Sequence, residues 1–225
     1  MSIVVKAGES ITIEGFAMQE MLIRKNASVV HIVPDMPQQN KASIRLEQNA
    51  SYRALYFQHN NDLELTVDLD EPGTGAEIYS IFIADDIQSS DIHINHNASR
   101  TRSHAFLKGI ASGTGRADIN LNTYVRDGLR NIDGYQLVKG ILLDKESVIR
   151  SKPELSIHSE DAKCSHGSAI GTLDRSHIFY MNSRGIDTET AKKILVRSFL
   201  EEVVNNIEDG ALHTKFINKL EALHV

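Results

Sequence analysis

This sequence has very little cysteine, and it shows no apolar segment of the kind that directs a chain into or across a membrane. The 225 residues contain one cysteine, Cys164, so no disulfide can form within the chain. Lys6, Glu9 and Glu14 interrupt the N-terminal stretch before an apolar run reaches the length of a signal peptide or a membrane span. We therefore expect a cytoplasmic protein with no membrane partner.

An excess of basic charge is also missing. The chain has 24 Lys and Arg residues against 30 Asp and Glu residues, which gives a formal net charge of -6. Proteins that bind nucleic acids need clustered Lys and Arg to neutralise phosphates, so this balance argues against a nucleic-acid partner. The 41% of hydrophobic residues is ordinary for a folded protein, and the length suits one substantial domain.

Short alternations of apolar and polar residues dominate the first three quarters of the chain, and such alternation is typical of half-buried strands. These stretches are residues 2–5, 10–13, 28–33, 42–46, 54–57, 63–69, 77–83, 91–94 and 117–121. Asn-Ala-Ser triplets begin at Asn26, Asn49 and Asn97, and residues 120–122 fall near one further step of about 23 to 24 residues. A repeat of this length predicts a β-solenoid. A β-sandwich also has short strands at regular intervals, and periodicity alone does not choose between the two.

The last quarter has helical periodicity, so we divide the chain into a β core over 1–173 and a helical segment over 174–225. Asp174 is placed to cap a first helix that ends near Gly185, and Asp187 to cap a second. The residues of 208–210 interrupt the pattern before a last helix. The predicted apolar stripes are Ala191, Ile194, Leu195, Phe199 and Val203 on the second helix, and Leu212, Phe216, Ile217, Leu220 and Leu223 on the last.

One segment, 161–167, combines two side chains that bind soft metals. In an extended chain Cys164 and His166 project to the same side, and a thiolate and an imidazole can then reach one metal ion. Zinc or an iron-sulfur cluster needs about four ligands, so the pair is either half of a site shared with another chain or a buried thiol beside a surface histidine. No nucleophile signature surrounds Cys164, and the other histidines, His93 and His96 among them, are expected at the surface or in turns.

Around this segment the sequence resembles the core domain of the SufB/SufD family of iron-sulfur cluster assembly proteins. The resemblance rests on HNASRTRSHAFLKGIASGTGRA at 96–117, on 133–174 with its Lys-Pro-Glu-Leu and Lys-Cys-Ser-His-Gly elements, and on IFYMNSRGIDTETAKKILVRSF at 178–199. It fades before about residue 90, and the family's N-terminal helical region is not recognisable. The resemblance implies a mainly β fold, a right-handed parallel β-helix with a C-terminal α-helical tail, in which the helices contact the SufC ATPase.

Two departures make the chain look SufD-like rather than SufB-like. Leu137 follows Gln136 where SufB-type chains have a cysteine, and Gly167 follows His166 where they have a glutamate. The resemblance then implies a non-enzymatic scaffold subunit, with His166 at the interface where a cluster forms. The implied partners are a SufC-type ABC ATPase and either a SufB-type chain or a second copy of this chain. No cofactor is expected to be bound stably by the isolated chain, although His166 and Cys164 can contact a transient iron-sulfur cluster at a subunit interface.

The partner surfaces follow from the helices and from the end of the solenoid. Leu195, Phe199, Leu212 and Phe216 are expected to stay partly exposed and to bind the ATPase. Residues 155–157 and 161–164 are expected to present an unpaired strand edge through which a dimer forms.

Two alternatives remain open at the level of the sequence. A β-helix enzyme acting on polysaccharides would use a carboxylate groove, for which Asp118, Asp127 and Asp133 are the candidates. A metal-free structural homo-oligomer would need neither carboxylates nor metal ligands.

Overall fold

Fourteen strands followed by three helices are present among the residues that the computed structural model describes. These residues are 2–16, 19–206 and 210–221, and the side chains of 210–212 are not described. The strands alternate along the chain between two parallel sheets. Sheet A contains β1 (Ser2–Val5), β3 (Glu20–Ile23), β5 (Gln39–Leu46), β7 (Asp62–Leu69), β9 (Ile87–His96), β11 (Arg116–Val125) and β13 (Val148–Ile157). Sheet B contains β2 (Ser10–Glu14), β4 (Ser28–Val33), β6 (Ser51–His59), β8 (Gly75–Ala84), β10 (Arg102–Ala111), β12 (Arg130–Leu142) and β14 (Asp161–Thr172).

This topology confirms the β-solenoid and excludes the β-sandwich. Each strand pairs in parallel with the strands one coil before and one coil after it, as in the register of Phe106 with Tyr79 on one side and Leu137 on the other. A sandwich would instead have antiparallel strands. Side chains that point inward from both sheets form one continuous apolar core, which includes Ile44, Leu65 and Phe82.

A column of residues with positive φ forms one corner of the solenoid. Asn26, Asn49, Gly73, Arg100 and Asn131 all have φ between 56° and 83°. Asparagine and glycine adopt this left-handed conformation most readily. The steps of the column lengthen along the chain, because the later coils contain longer strands than the earlier ones. The predicted repeat of about 23 to 24 residues is therefore correct from Asn26 through Asn49 to Gly73 and wrong further along, where Arg100 rather than Asn97 holds the corner position.

The helical segment contains α1 (Arg175–Ser183), α2 (Thr188–Val204) and α3 (Gly210–Glu221). The carboxylate of Asp174 accepts a hydrogen bond from the Ser176 amide at 2.8 Å, and that of Asp187 accepts one from the Thr190 amide at 3.0 Å, so both predicted N-caps are confirmed. Gly185 follows α1 with a φ of 84°. Residues 208 and 209 of the predicted break, and Leu223, lie outside the described residues.

Helices α2 and α3 pack on the outer face of sheet B. Their apolar side chains form a second core with outward residues of the sheet; its members include Leu55, Phe57, Ile81, Ile110, Val196, Leu200, Val203, Val204, Phe216 and Leu220. The prediction that Phe216 stays exposed for a partner is wrong, because its ring is fully buried and meets the ring of Phe57 at a centroid distance of 6.1 Å. Leu195 and Phe199 are half-buried, and the side chain of Leu212 lies outside the described part.

The predicted stripe of α2 is rotated relative to the face that the structure buries. Ala191 and Val203 are buried as expected, but Val196, Leu200 and Val204 take the remaining core positions, and Ile194 is 41% exposed. The helix has apolar residues on more than one side, so its sequence pattern could not identify the contacting face. The outward apolar rows of sheet B determine which side is buried.

A lysine ties α2 to sheet B. The ammonium group of Lys108 donates a 2.8 Å hydrogen bond to the Phe199 carbonyl, forms an ion pair with Glu202 and lies 4.2 Å from the centroid of the Phe199 ring. Burial lowers the pKa of Lys108, and the bond to Glu202 opposes this shift. The half-burial of Phe199 therefore results from a contact within the chain.

Candidate functional site at the open end of the solenoid

The solenoid ends in two strands that each have one unpaired edge. Within the described chain, β13 is the last strand of sheet A and β14 the last strand of sheet B. The prediction of an unpaired edge over 155–157 and 161–164 is thus confirmed. Pro153 lies in β13, where its missing amide hydrogen is tolerated because the strand is at an edge. Hydrogen-bonding backbone groups and the inward side chains of the terminal coil are both available to another chain.

Cys164 and His166 project toward the interior of the terminal coil. In β12 the inward residues include Gly134 and Gln136, both buried, and parallel pairing sets Cys164 beside Gly134 and His166 beside Gln136. The strand over Asp161–Thr172 confirms that the segment is extended and that the two side chains lie on the same side. Their role as metal ligands stays a prediction.

The neighbouring inward positions of β14, Ala162 and Ser168, are small. This end of the solenoid therefore presents a thiol, an imidazole and a hydroxyl, whereas the interior of the preceding coils is mainly aliphatic.

Gly134 makes room for the thiol of Cys164. A Cβ atom on Gly134 would lie 3.0 Å from Cys164 Sγ and 3.5 Å from Ser103 Oγ, so a larger residue would displace one of these groups. Burial raises the pKa of the Cys164 thiol, although a hydrogen bond from the Gly134 amide partly opposes the shift. The thiol is consequently protonated at neutral pH unless a metal ion or another positive charge approaches it.

His166 is exposed and faces the open end. Among the described residues it forms no hydrogen bond, ion pair or ring contact. Nor do the described residues contain any group of three or more His, Cys, Asp or Glu side chains that could hold a metal ion. A metal or cluster bound here needs ligands from outside the described chain, as expected for a site shared between subunits.

His96 belongs to the interior below this site, and the prediction that it is a surface or turn histidine is wrong. It is fully buried and bonds to Thr101 Oγ1 at 2.6 Å and to Ser103 Oγ at 2.9 Å. The Thr101 hydroxyl donates to the Ala98 carbonyl, so its oxygen accepts from His96 Nδ1, and Nε2 accepts from Ser103. Burial lowers the pKa of His96 to about 4, which keeps the ring neutral.

The described helices also leave large apolar side chains exposed. Phe179 and Tyr180 on α1 are 75% and 60% exposed, and α1 has no buried residue. Among the helical side chains that the structure describes, they and Ile194 on α2 are the most exposed large apolar ones. The FYMNSRG element contains Phe179 and Tyr180, so the sequence signal for these exposed side chains is the motif rather than an amphipathic stripe.

The three carboxylates of the enzyme alternative do not share a groove. Asp118 lies on sheet A and pairs with Arg150 at 3.4 Å, whereas Asp133 lies on sheet B and pairs with Arg102 at 3.5 Å. Asp127 is in the turn between β11 and β12. A polysaccharide-cleaving site needs acidic groups facing one substrate, and these groups face different sides of the solenoid.

The described chain is thus a parallel β-solenoid whose last strand carries Cys164 and His166, with helices α2 and α3 packed on the outer face of sheet B. The model of the SufBD core domain of the SUF iron-sulfur cluster assembly system matches residues 6–199, and this chain belongs to that family. The match extends far beyond the resemblance visible in the sequence, which faded before about residue 90.

Curated relatives agree with the family. The chain is 27% identical to Protein ABCI7, chloroplastic, of Arabidopsis thaliana over 91% of this chain and 45% of the relative. It is 31% identical to the iron-sulfur cluster assembly protein SufD of Escherichia coli over 56% of this chain and 30% of the relative. A SufBD family protein of Synechocystis, slr0076, is 28% identical over 84% and 41%. The chain thus spans less than half the length of these relatives. No described helix is long and apolar enough to cross a membrane.

Proposed function

We propose that this chain is a SufD-like, non-catalytic scaffold subunit on which an iron-sulfur cluster is assembled at a subunit interface. The observation that carries the proposal is the position of Cys164 and His166, side by side on the edge strand at the open end of the solenoid. Membership of the SufBD family supports a role in iron-sulfur cluster assembly. The SufD-like role is supported by Leu137 and Gly167, because SufB-type chains have other residues at these two positions. The single cysteine favours a reducing compartment, for which we propose the cytosol.

The open end can contribute ligands to a cluster that passes through it as cargo. His166 is exposed, and a neutral imidazole offers a lone pair to iron without losing a proton first. Cys164 is the weaker ligand in the free chain because burial raises its pKa, so it binds only when iron displaces the thiol proton. The ligands that complete the coordination come from a SufB-type chain or a second copy of this chain.

The proposed second partner is a SufC-type ABC ATPase bound by the helices. The burial of Phe216 removes it from the predicted contact, and the half-buried Phe199 already covers Lys108. We therefore place the contact on the exposed side chains of α1 and α2, namely Phe179, Tyr180 and Ile194. An exposed pair of aromatic residues is typical of the anchor of a protein interface.

Replacing His166 with Ala tests the role in cluster assembly. The variant and the unchanged chain are each co-expressed with a SufC-type ATPase and a SufB-type chain, purified as complexes, and reconstituted anaerobically with ferrous iron and sulfide. We expect the complex to form normally, because the side chain is exposed, and the cluster absorbance to fall several-fold. The matched control is His93→Ala, which removes a half-buried, outward-facing histidine from sheet A. A full cluster yield with His166→Ala would remove His166 from the site.

A further inference from the structure

The side chain of Gln136 is buried below His166 with one polar atom unsatisfied. Gln136 is 1% exposed, and its Nε2 group donates to Thr123 Oγ1 at 2.6 Å and to the Glu154 carbonyl at 3.4 Å. Both amide hydrogens are therefore in use. Flipping the amide would set its carbonyl against the Glu154 carbonyl, so the present orientation is the favourable one. Its Oε1 atom has no hydrogen-bond partner within the described chain, although most buried carbonyl groups have one.

His166 lies on the strand paired with that of Gln136, and its imidazole has no hydrogen-bond partner within the described chain. Gln136 and His166 are directly paired positions of β12 and β14, both directed inward, on strands separated by about 4.8 Å. A neutral imidazole carries one N–H donor and one bare nitrogen, and His166 uses neither within the described chain. An unsatisfied acceptor and an unused donor thus lie on adjacent strands, facing the same space.

We propose that Gln136 is a positioning residue for His166: its Oε1 accepts the N–H of the imidazole and holds the ring in one tautomer. The lone pair of the other nitrogen then points toward the open end, where a metal or cluster from a partner chain arrives. Histidine ligands of metals generally donate their second nitrogen to such an acceptor, which sets the tautomer and the ring orientation. This inference rests on the proposed function of His166 and names the residue that prepares it.

The test is the tautomer of His166, observed in the full chain by ¹⁵N NMR at a pH where the ring is neutral. We expect one tautomer to dominate in the unchanged protein. In Gln136→Met, which keeps a similar volume without an acceptor, we expect both tautomers to be populated. Gln58→Met is the matched control, because Gln58 is equally buried and bonds to Ser80 and Ser90 far from the open end. The control should leave the His166 signals unchanged.

A mixture of tautomers in the unchanged protein would overturn the proposal, and so would an unchanged tautomer in Gln136→Met. If Gln136→Met does not fold, Thr123→Val removes the hydroxyl that orients the amide and should also mix the tautomers; a single tautomer there would overturn the proposal equally. Cluster yield is measured separately. A shifted tautomer with full cluster yield would support the positioning by Gln136 and contradict the role of His166 in assembly.

Discussion

At the scale of single residues, the interior of the solenoid contains polar side chains that are neutral because they are buried. The Nδ1 atom of His31 bonds to the Tyr52 hydroxyl at 2.8 Å and its Nε2 donates to the Gly15 carbonyl at 3.0 Å, while His96 bonds to Thr101 and Ser103. Burial lowers the pKa of both histidines. Each ring must therefore stay unprotonated for the coils around it to remain packed.

Because these two histidines are buried and neutral, we expect the protein to lose stability in mild acid. The pKa of His96 is about 4 in the folded chain against 6.5 for a free histidine, so the unfolded chain binds more protons between these values. The free energy of unfolding should fall as the pH is lowered from 6.5 to 4, by about 3 kcal/mol from this residue, and His31 acts in the same direction. Urea unfolding at several pH values measures the effect.

A substitution of His96 distinguishes its contribution to the pH dependence of stability from that of other groups that titrate in acid. His96→Gln should have a shallower pH dependence than the unchanged chain, although its stability at pH 7 will be lower. His93→Gln, which changes a half-buried, outward-facing histidine of the same strand, should leave the dependence as it is. Equal slopes for His96→Gln and the unchanged chain would contradict the assignment.

At the scale of elements, the three helices divide into a packed pair and an accessible one. Helices α2 and α3 cover sheet B with the second apolar core, whereas α1 buries no residue and exposes Phe179 and Tyr180. Association with a partner requires accessible apolar groups, and stability requires buried ones. The sequence pattern assigned both roles to one set of residues. The structure buries the apolar side chains of α2 and α3 and exposes Phe179 and Tyr180 of α1, where we propose the partner contact.

Two substitutions distinguish these roles. Phe179→Asp should leave the unfolding free energy within about 0.5 kcal/mol, because the side chain is exposed, and should abolish co-purification with a SufC-type ATPase. Phe216→Ala should cost about 3 to 5 kcal/mol, since it opens a cavity between α3 and Phe57. Normal ATPase binding by Phe179→Asp would show that α1 is not the contact.

At the scale of the whole molecule, the solenoid has edges at both ends because each sheet is open. The end formed by β13 and β14 carries the proposed cluster ligands, so association through this end would join two chains and bring ligands from both together. The dimer itself stays a prediction.

Sedimentation of a variant tests this association. Ile157, at the end of β13, is 38% exposed, and Ile157→Glu should shift the chain from dimer to monomer at micromolar concentration because a carboxylate would be buried at the joint. Ile87→Glu is the control, since Ile87 is even more exposed but begins β9 in the middle of sheet A. A stable monomer of the unchanged chain would contradict the dimer.

The sequence alone was sufficient for the features that depend on local chemistry. Alternating polarity indicated the strands, Asp174 and Asp187 indicated the starts of two helices, and Asn26 and Asn49 marked a corner that needs positive φ. Specific motifs indicated the family. Each of these signals lies within a few residues of the structure that it specifies.

Features that depend on distant residues were decided only by the tertiary structure. The buried face of α2 depends on the outward rows of sheet B, and the burial of His96 depends on coils whose length changes along the chain. The neighbours of Cys164 and His166 are Gly134 and Gln136, which belong to the preceding coil and are set beside them by parallel pairing. Sequence spacing cannot predict such contacts, because the register of a solenoid is determined by the packing of whole coils.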